Sequence, residues 1–240
     1  MAGCAGYWSS LAYWATRPEG APKPEYVPSS IAKTFDATSR TAAHLRTTFA
    51  EAGALPEESA ILPVGEDGRV RNTLNLIVPT REQRRTLVGA KVYALRSAVQ
   101  GKNAIQGRGL VQGSDSQILL PENSICQIGE EAYVMSPDAT FLEIASRAPL
   151  AYKAVEAGYL LCASFALSCK GYERTGRHEP PTDVAHIAHY LEQMRGIHGV
   201  ARARRVLQWV HDGCDSPPEV NGSMLFGLPY GEGGIKFPFH

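Results

Sequence analysis

Apolar residues recur at helical spacing through the second half of the chain, from about residue 138 to residue 229. The stretch "EPPTDVAHIAHYLEQMRG" opens with Thr182 or Asp183 as a helix cap. Its apolar side chains fall on one helical face at Val184, Ile187, Tyr190, Leu191 and Met194. In the following "GVARARRVLQWVHDG", the inward positions are Val200, Ala203, Val206, Leu207 and Val210. These spacings predict a mainly helical region over 138–240.

Alternating and β-branched apolar residues dominate the middle of the chain. "TLNLIVPT" (73–80) predicts a strand that ends at Pro79, and residues 90–97 and 116–137 predict further strands separated by turns. "GKNAIQGRG" (101–109) is typical of a loop. We expect a small β-rich unit over 61–137.

The first 60 residues fall into two stretches that differ in amino-acid composition and in the spacing of their apolar residues. Positions 1–30 are rich in aromatic, Gly and Pro residues, and "RPEGAPKPEYVPSS" (17–30) predicts an extended tether that packs through Trp8, Tyr13 and Trp14. From Ser30 to Gly53 the apolar spacing indicates one helix or two short ones. The chain as a whole is expected to be α/β (α+β), with segments 1–60, 61–137 and 138–240.

The net charge, the cysteines and the lack of a long apolar stretch argue against some classes of protein. The 240 residues include 24 Lys+Arg and 24 Asp+Glu, so the formal charge is zero and any nucleic-acid contact needs a local basic patch. Five cysteines without C-x-x-C spacing favour reduced thiols in a cytoplasmic protein. We expect no signal peptide and no membrane-spanning helix.

Two groups of arginines are candidate phosphate contacts. The first follows the predicted strand at Arg81, Arg84 and Arg85, and the second lies on the predicted helix at Arg202, Arg204 and Arg205, near Arg195 and His198. Such groups bind phosphates, although a solvated face is the commoner outcome.

The histidine and cysteine patterns give weaker evidence for a metal site or a catalytic nucleophile than the arginines give for phosphate binding. His186 and His189 are three residues apart on a predicted helix, with His178 upstream, but surface or capping histidines explain them more simply. Cys162 and Cys169 share a helical face in an apolar context and are expected to be buried small hydrophobes. The sequence carries no P-loop and no G-x-S-x-G motif.

Two motifs in order resemble the AbiEi-type antitoxin proteins, which are associated with endonucleases of the very-short-patch-repair type. The first is the Ser-Pro helix junction in "EEAYVMSPDATFLEIA", and the second runs from an Arg-rich helix through Ser-Pro-x-Glu to Gly-Leu-Pro. The likeness covers about residues 70–232. Its matching residues are Ser136, Pro137, Asp138, Thr140, Glu143, Ala145, Gly199, Arg202, Arg205, Ser216, Pro217, Glu219, Gly227, Leu228 and Pro229.

The resemblance implies an antitoxin that binds operator DNA through an N-terminal winged helix and opposes a nucleotidyltransferase toxin. Residues 30–60 occupy that place without a clear recognition helix or wing. In longer relatives, the helix at Glu219 begins a nuclease domain whose acids hold Mg²⁺. No Glu here has an E-x-D, E-x-E or E-x-K setting, so we expect that nuclease core to be absent.

Three functional hypotheses follow. The first is a catalytically incomplete regulatory protein that binds DNA or a partner toxin. The second is a Mg²⁺-dependent DNA endonuclease completed by a partner chain or an unrecognised site, with Glu219 and Asp215 as candidate catalytic residues. The third is a shortened form in which Phe237 and Phe239 promote homo-oligomers.

Overall fold

A computed structural model describes residues 2–18, 20, 23–55, 74–95, 98, 99, 117, 118, 120–170, 172–177, 179–194 and 196–235. The expected loop 101–109 lies outside the described residues, as do His178, Arg195, Phe237 and Phe239.

A mixed six-stranded sheet and the helices packed around it confirm the α/β (α+β) class. Its strands are β1 (Gly3–Ala5), β2 (Glu25–Tyr26), β3 (Leu74–Val78), β4 (Ala90–Ala94), β7 (Ile125–Gly129) and β8 (Ala132–Met135). The strand order is β2-β7-β8-β1-β3-β4, so β4 forms one edge. β1 is parallel to β8 and β3 is parallel to β4, while the other neighbours are antiparallel.

Two small sheets complete the β structure. β5 (Ala98–Val99) pairs with β6 (Gln117–Ile118), and β9 (Phe165–Leu167) pairs with β10 (Arg174–Arg177). The second pair lies inside the region predicted to be helical, so that prediction is wrong at Phe165–Leu167 and Arg174–Arg177.

Seven α-helices are present among the described residues. They are α1 (Tyr7–Thr16), α2 (Ser39–Glu51), α3 (Pro137–Arg147), α4 (Ala151–Leu161), α5 (Val184–Gln193), α6 (Val200–Leu207) and α7 (Pro217–Gly227). Short 3₁₀ helices span Ser29–Thr34, Glu122–Ser124 and Tyr230–Glu232. The Ser29–Thr34 turn and α2 confirm the prediction of two short helices before Gly53, whose φ of 71° ends the second.

The N-terminal residues form part of the sheet, and Glu25–Tyr26 within the expected tether (17–30) form its edge strand β2, which corrects that expectation. β1 lies between β8 and β3, and α1 follows it directly. Small residues suit this strand because a Cβ on Gly3 would lie 2.3 Å from Cγ2 of Thr41. The expected aromatic packing is confirmed, since Tyr13 and Trp14 are buried and the Trp14 indole donates to the carbonyl oxygen of Met135 at 2.9 Å.

Helices cover both faces of the sheet. α2 packs on the face of Gly3 through Thr41 and Leu45. α1 lies on the other face, where the Ser9 hydroxyl accepts the backbone N–H of Asn75 at 2.9 Å. α3 then packs against α1, and α6 packs against α3.

The helical region beyond α3 follows the apolar pattern closely. On α5, Ile187, Tyr190, Leu191 and Met194 are buried, and Asp183 caps the helix by accepting the N–H of His186 at 2.8 Å. On α6 the buried face is that predicted. Gly199, with a φ of 95°, starts this helix against Ser146 of α3.

Candidate functional site

The first arginine group lies on the loop between β3 and β4. Pro79 follows the last residue of β3, and a turn in which the N–H of Arg84 donates to Arg81 O at 3.2 Å then reverses the chain. The loop exposes Arg81, Arg84 and Arg85. With the edge strand β4 it forms an open basic groove lined by Arg81, Arg84, Arg85, Thr86, Leu87, Ala90, Lys91, Val92 and Tyr93.

Guanidinium groups bind carbonyl oxygens along the edge of β4. Arg84 Nε donates to Val92 O at 3.2 Å, and Arg147 Nη2 donates to Ala94 O at 2.6 Å. These bonds satisfy carbonyls that a further strand would otherwise pair, which protects the edge. Arg84 therefore holds the groove in shape, while Arg81 and Arg85 present their charges to solvent.

The second arginine group divides into three environments. Arg205 is exposed, as expected for a solvated face. Arg204 is half-buried and donates to Leu191 O at 2.9 Å, in the last turn of α5. Arg202 is half-buried, and among the described residues no carboxylate lies within 4.0 Å of its guanidinium.

Beside the first arginine group lie side chains that the sequence did not single out as phosphate contacts. We call Tyr7, Trp8, Tyr93 and Arg147 the tyrosine–arginine cluster. The ring centroid of Tyr7 lies 5.3 Å from that of Tyr93 and 5.2 Å from that of Trp8. The guanidinium carbon of Arg147 lies 5.2 Å from the Tyr93 centroid. Since Tyr93 also lines the basic groove, the cluster adjoins it.

The pKa of the Tyr7 hydroxyl is shifted above its ordinary value. Burial raises the pKa of Tyr7, while a hydrogen bond with Trp8 and the charges of Arg147 and Arg202 oppose that rise. Arg147 is paired with Glu143, whose Oε2 lies 2.5 Å from Arg147 Nε.

The acids proposed for a nuclease instead serve the start of α7. Glu219 Oε2 accepts the backbone N–H of Asp215 at 2.7 Å, and the Asp215 carboxylate accepts a hydrogen bond from the Ser164 hydroxyl. The predicted Ser-Pro helix start is confirmed at Ser216. Within the described part of the chain, no three His, Cys, Asp or Glu side chains gather to hold a metal ion. These two carboxylates alone do not match the ligand set of a catalytic Mg²⁺ ion.

The histidine pair on α5 makes local contacts. His186 Nδ1 lies 2.7 Å from Asp183 Oδ2, and His189 Nε2 lies 2.9 Å from Gln193 Nε2. Both histidines are exposed. This is the surface and capping arrangement that the sequence favoured over a zinc pair.

None of the five cysteines forms a disulfide. Cys162 is buried, as expected, and burial raises its pKa. Burial also raises the pKa of Cys126 to about 12. Cys169 departs from the expectation, because it is only half-buried, in the turn that connects β9 and β10.

Comparison of the chain with protein-family models, with curated proteins and with solved structures finds no match. Among the described residues, no helix combines the length and apolar character that crossing a membrane requires.

Proposed function

We propose that the protein is a regulatory nucleic-acid-binding protein that holds phosphates in the basic groove. Support comes from one observation: Arg81, Arg85 and Lys91 are exposed along a single groove at the sheet edge. Exposed cations that follow a groove neutralise successive phosphates and release the counterions bound to them.

The rigidity of the groove adds to this support. Arg84 is fixed to Val92 O, and Arg147 is fixed to Ala94 O and to Glu143. Because the carbonyls of β4 hold Arg84 and Arg147 in place, the wall of the groove needs little rearrangement when a ligand binds. The segment 81–91 contains four cations and one carboxylate, Glu82. A local excess of positive charge therefore exists in a chain of zero formal charge.

The resemblance to AbiEi-type antitoxins is the reason that we propose a regulatory setting for this binding. An antitoxin-like protein works in the cytoplasm, binds DNA and opposes a nucleotidyltransferase toxin, and we include such a partner in the proposal. The basic groove then takes the place of the winged helix, for which the sequence of residues 30–60 shows no clear recognition helix or wing. Glu219 belongs to the start of α7 in this proposal and takes no part in hydrolysis.

Fluorescence anisotropy with mixed-sequence oligonucleotides tests the proposal. The double variant Arg81→Gln/Arg85→Gln should weaken binding of every sequence to the same extent, because phosphate contacts carry no sequence information. The matched control is Lys33→Gln/Arg40→Gln, which removes two exposed cations outside the groove. Equal affinity of the groove variant and the wild type would refute the proposal.

A further inference from the structure

The basic groove has an apolar part as well as a charged one. Leu87, Val92 and Tyr93 line it together with the cations, and its volume is about 580 Å³. That volume lies within the range of about 300–1,000 Å³ that is typical of pockets for small molecules. Phosphates need only the cations, so the apolar lining indicates a ligand that carries an apolar group beside its charges.

Tyr93 presents an aromatic surface to the groove. The Tyr7 ring packs against it with centroids 5.3 Å apart and an interplanar angle of 43°, and the guanidinium carbon of Arg147 lies 5.2 Å from its centroid. Tyr93 is nevertheless only half-buried, and it lines the groove. The ring is therefore held by two neighbours, while the surface that they leave open faces the groove.

Lys91 and Tyr93 are neighbours on one face of β4. They are two residues apart on the strand, so their side chains leave the same face of the sheet about 7 Å apart. Lys91 is exposed. The edge strand thus places a cation next to an aromatic ring, which is the combination that proteins use to bind single-stranded nucleic acid.

A peptide is a poorer match for this edge. A peptide that added a strand to the sheet would pair with the outward carbonyls of β4. Arg84 Nε already donates to Val92 O at 3.2 Å, and Arg147 Nη2 already donates to Ala94 O at 2.6 Å. An added strand would have to displace both guanidinium groups, whereas a nucleic-acid strand needs neither carbonyl.

We propose that the basic groove binds single-stranded nucleic acid, with one base against Tyr93 and a neighbouring phosphate beside Lys91. This inference rests on the proposed function and specifies its ligand. In a duplex the bases are stacked inside, so only the sugar–phosphate backbone would meet the apolar lining. A single strand can turn a base toward Tyr93, and such stacking suits any sequence because every base has a π face.

Abasic strands test the inference on the wild-type protein. Fluorescence anisotropy compares single-stranded DNA and single-stranded RNA of one mixed sequence, each with an abasic counterpart that keeps every phosphate. At least one normal strand should bind about tenfold more tightly than its abasic counterpart, the effect of one stacked base. It should also bind more tightly than the duplex of the same sequence. Equal affinity for normal and abasic strands in both DNA and RNA, or tighter binding of the duplex, would overturn the inference.

A tyrosine variant assigns the base contact to its residue. Tyr93→Leu removes the ring and keeps an apolar side chain, so affinity for the normal strand should fall to that for the abasic strand. Affinity for the abasic strand should stay the same, which separates a lost base contact from damage to the fold. The matched control is Tyr26→Leu on β2, the opposite edge strand, where the tyrosine is 56% exposed. A Tyr93→Leu protein that keeps the preference for the normal strand would overturn the inference.

The groove variant separates this inference from the proposed function. Arg81→Gln/Arg85→Gln should weaken normal and abasic strands to the same extent, because it removes phosphate contacts and leaves Tyr93 in place. Weaker binding in this variant, with no preference of the wild type for bases, would keep the proposed function and overturn only the base contact. An unchanged affinity in the groove variant would instead refute the proposed function.

Discussion

The guanidinium carbon of Arg147 lies 5.2 Å from the ring centroid of Tyr93, which joins the end of α3 to the edge strand β4. The same side chain pairs with Glu143 and binds Ala94 O. Arg147 thus connects α3 to β4 through its contacts with Tyr93 and Ala94, while its pair with Glu143 lies within α3. The shape of the candidate site depends on this connection.

Loss of the Arg147 charge should destabilise the protein strongly. Arg147→Met leaves the Glu143 carboxylate, whose side chain is 6% exposed, without its cation, so unfolding free energy should fall by about 3 kcal/mol. Chemical denaturation measures the loss. The double variant Arg147→Met/Glu143→Gln should recover much of it because no unpaired charge remains. A single variant as stable as the wild type would show that the pair is unimportant.

Gly199 should tolerate no side chain. Its φ is 95°, and a Cβ would lie 2.3 Å from the Cβ of Ser146, so Gly199→Ala should cost more than about 2 kcal/mol. Gly213 is the matched control, since its φ is 87° but nothing lies within 4 Å of an added Cβ. Gly213→Ala should cost only about 1 kcal/mol, the backbone penalty alone. Equal losses would contradict the close packing of α6 on α3.

Two helix caps should differ in strength. The Asp183 side chain accepts the N–H of His186, so Asp183→Ala should cost about 1 kcal/mol of stability. Ser216 makes no such side-chain hydrogen bond at the start of α7, and Ser216→Ala should therefore be nearly neutral. Thermal denaturation of the two variants compares them directly. The reverse order would refute the assignment of the caps.

Asp138 should make stability depend on pH in the acid range. Burial raises its pKa above the ordinary 3.8, and the hydrogen bond from Thr182 opposes the rise. Below 3.8 the carboxyl is neutral in both states, whereas at higher pH the unfolded chain ionises first and the folded state loses stability. Asp138→Asn should therefore gain stability relative to wild type between about pH 3 and pH 5.5, where histidines at their ordinary pKa stay charged. A constant difference over that range would contradict the raised pKa.

Elements with a dense apolar pattern were predictable. α5 and α6 carry their apolar residues at regular spacing, and β3 combines β-branched residues with a closing Pro79. β1 was missed because Gly3, Cys4 and Ala5 are small and carry no strand pattern. Such residues suit a central strand with helices on both faces, which only the folded chain reveals.

The candidate site was predicted in part. The sequence located the exposed arginines Arg81, Arg85 and Arg205, but it gave no sign that Arg84 and Arg204 bind backbone carbonyls. Tyr7 and Tyr93 are far apart in the sequence, and their ring contact depends on how α1 packs beside the sheet. The Gly-Tyr pair between β1 and α1 becomes informative only once the left-handed backbone of Tyr7 is seen.

The salt dependence of binding to a single-stranded oligonucleotide tests the basic groove most directly. The slope of log affinity against log salt is negative, and each lost phosphate contact reduces its magnitude by about 0.7 for single strands. Arg81→Gln/Arg85→Gln should therefore reduce that magnitude by about 1.4. Lys33→Gln/Arg40→Gln should leave the slope of the wild type unchanged. Equal slopes for the groove variant and the wild type would contradict phosphate binding in the groove.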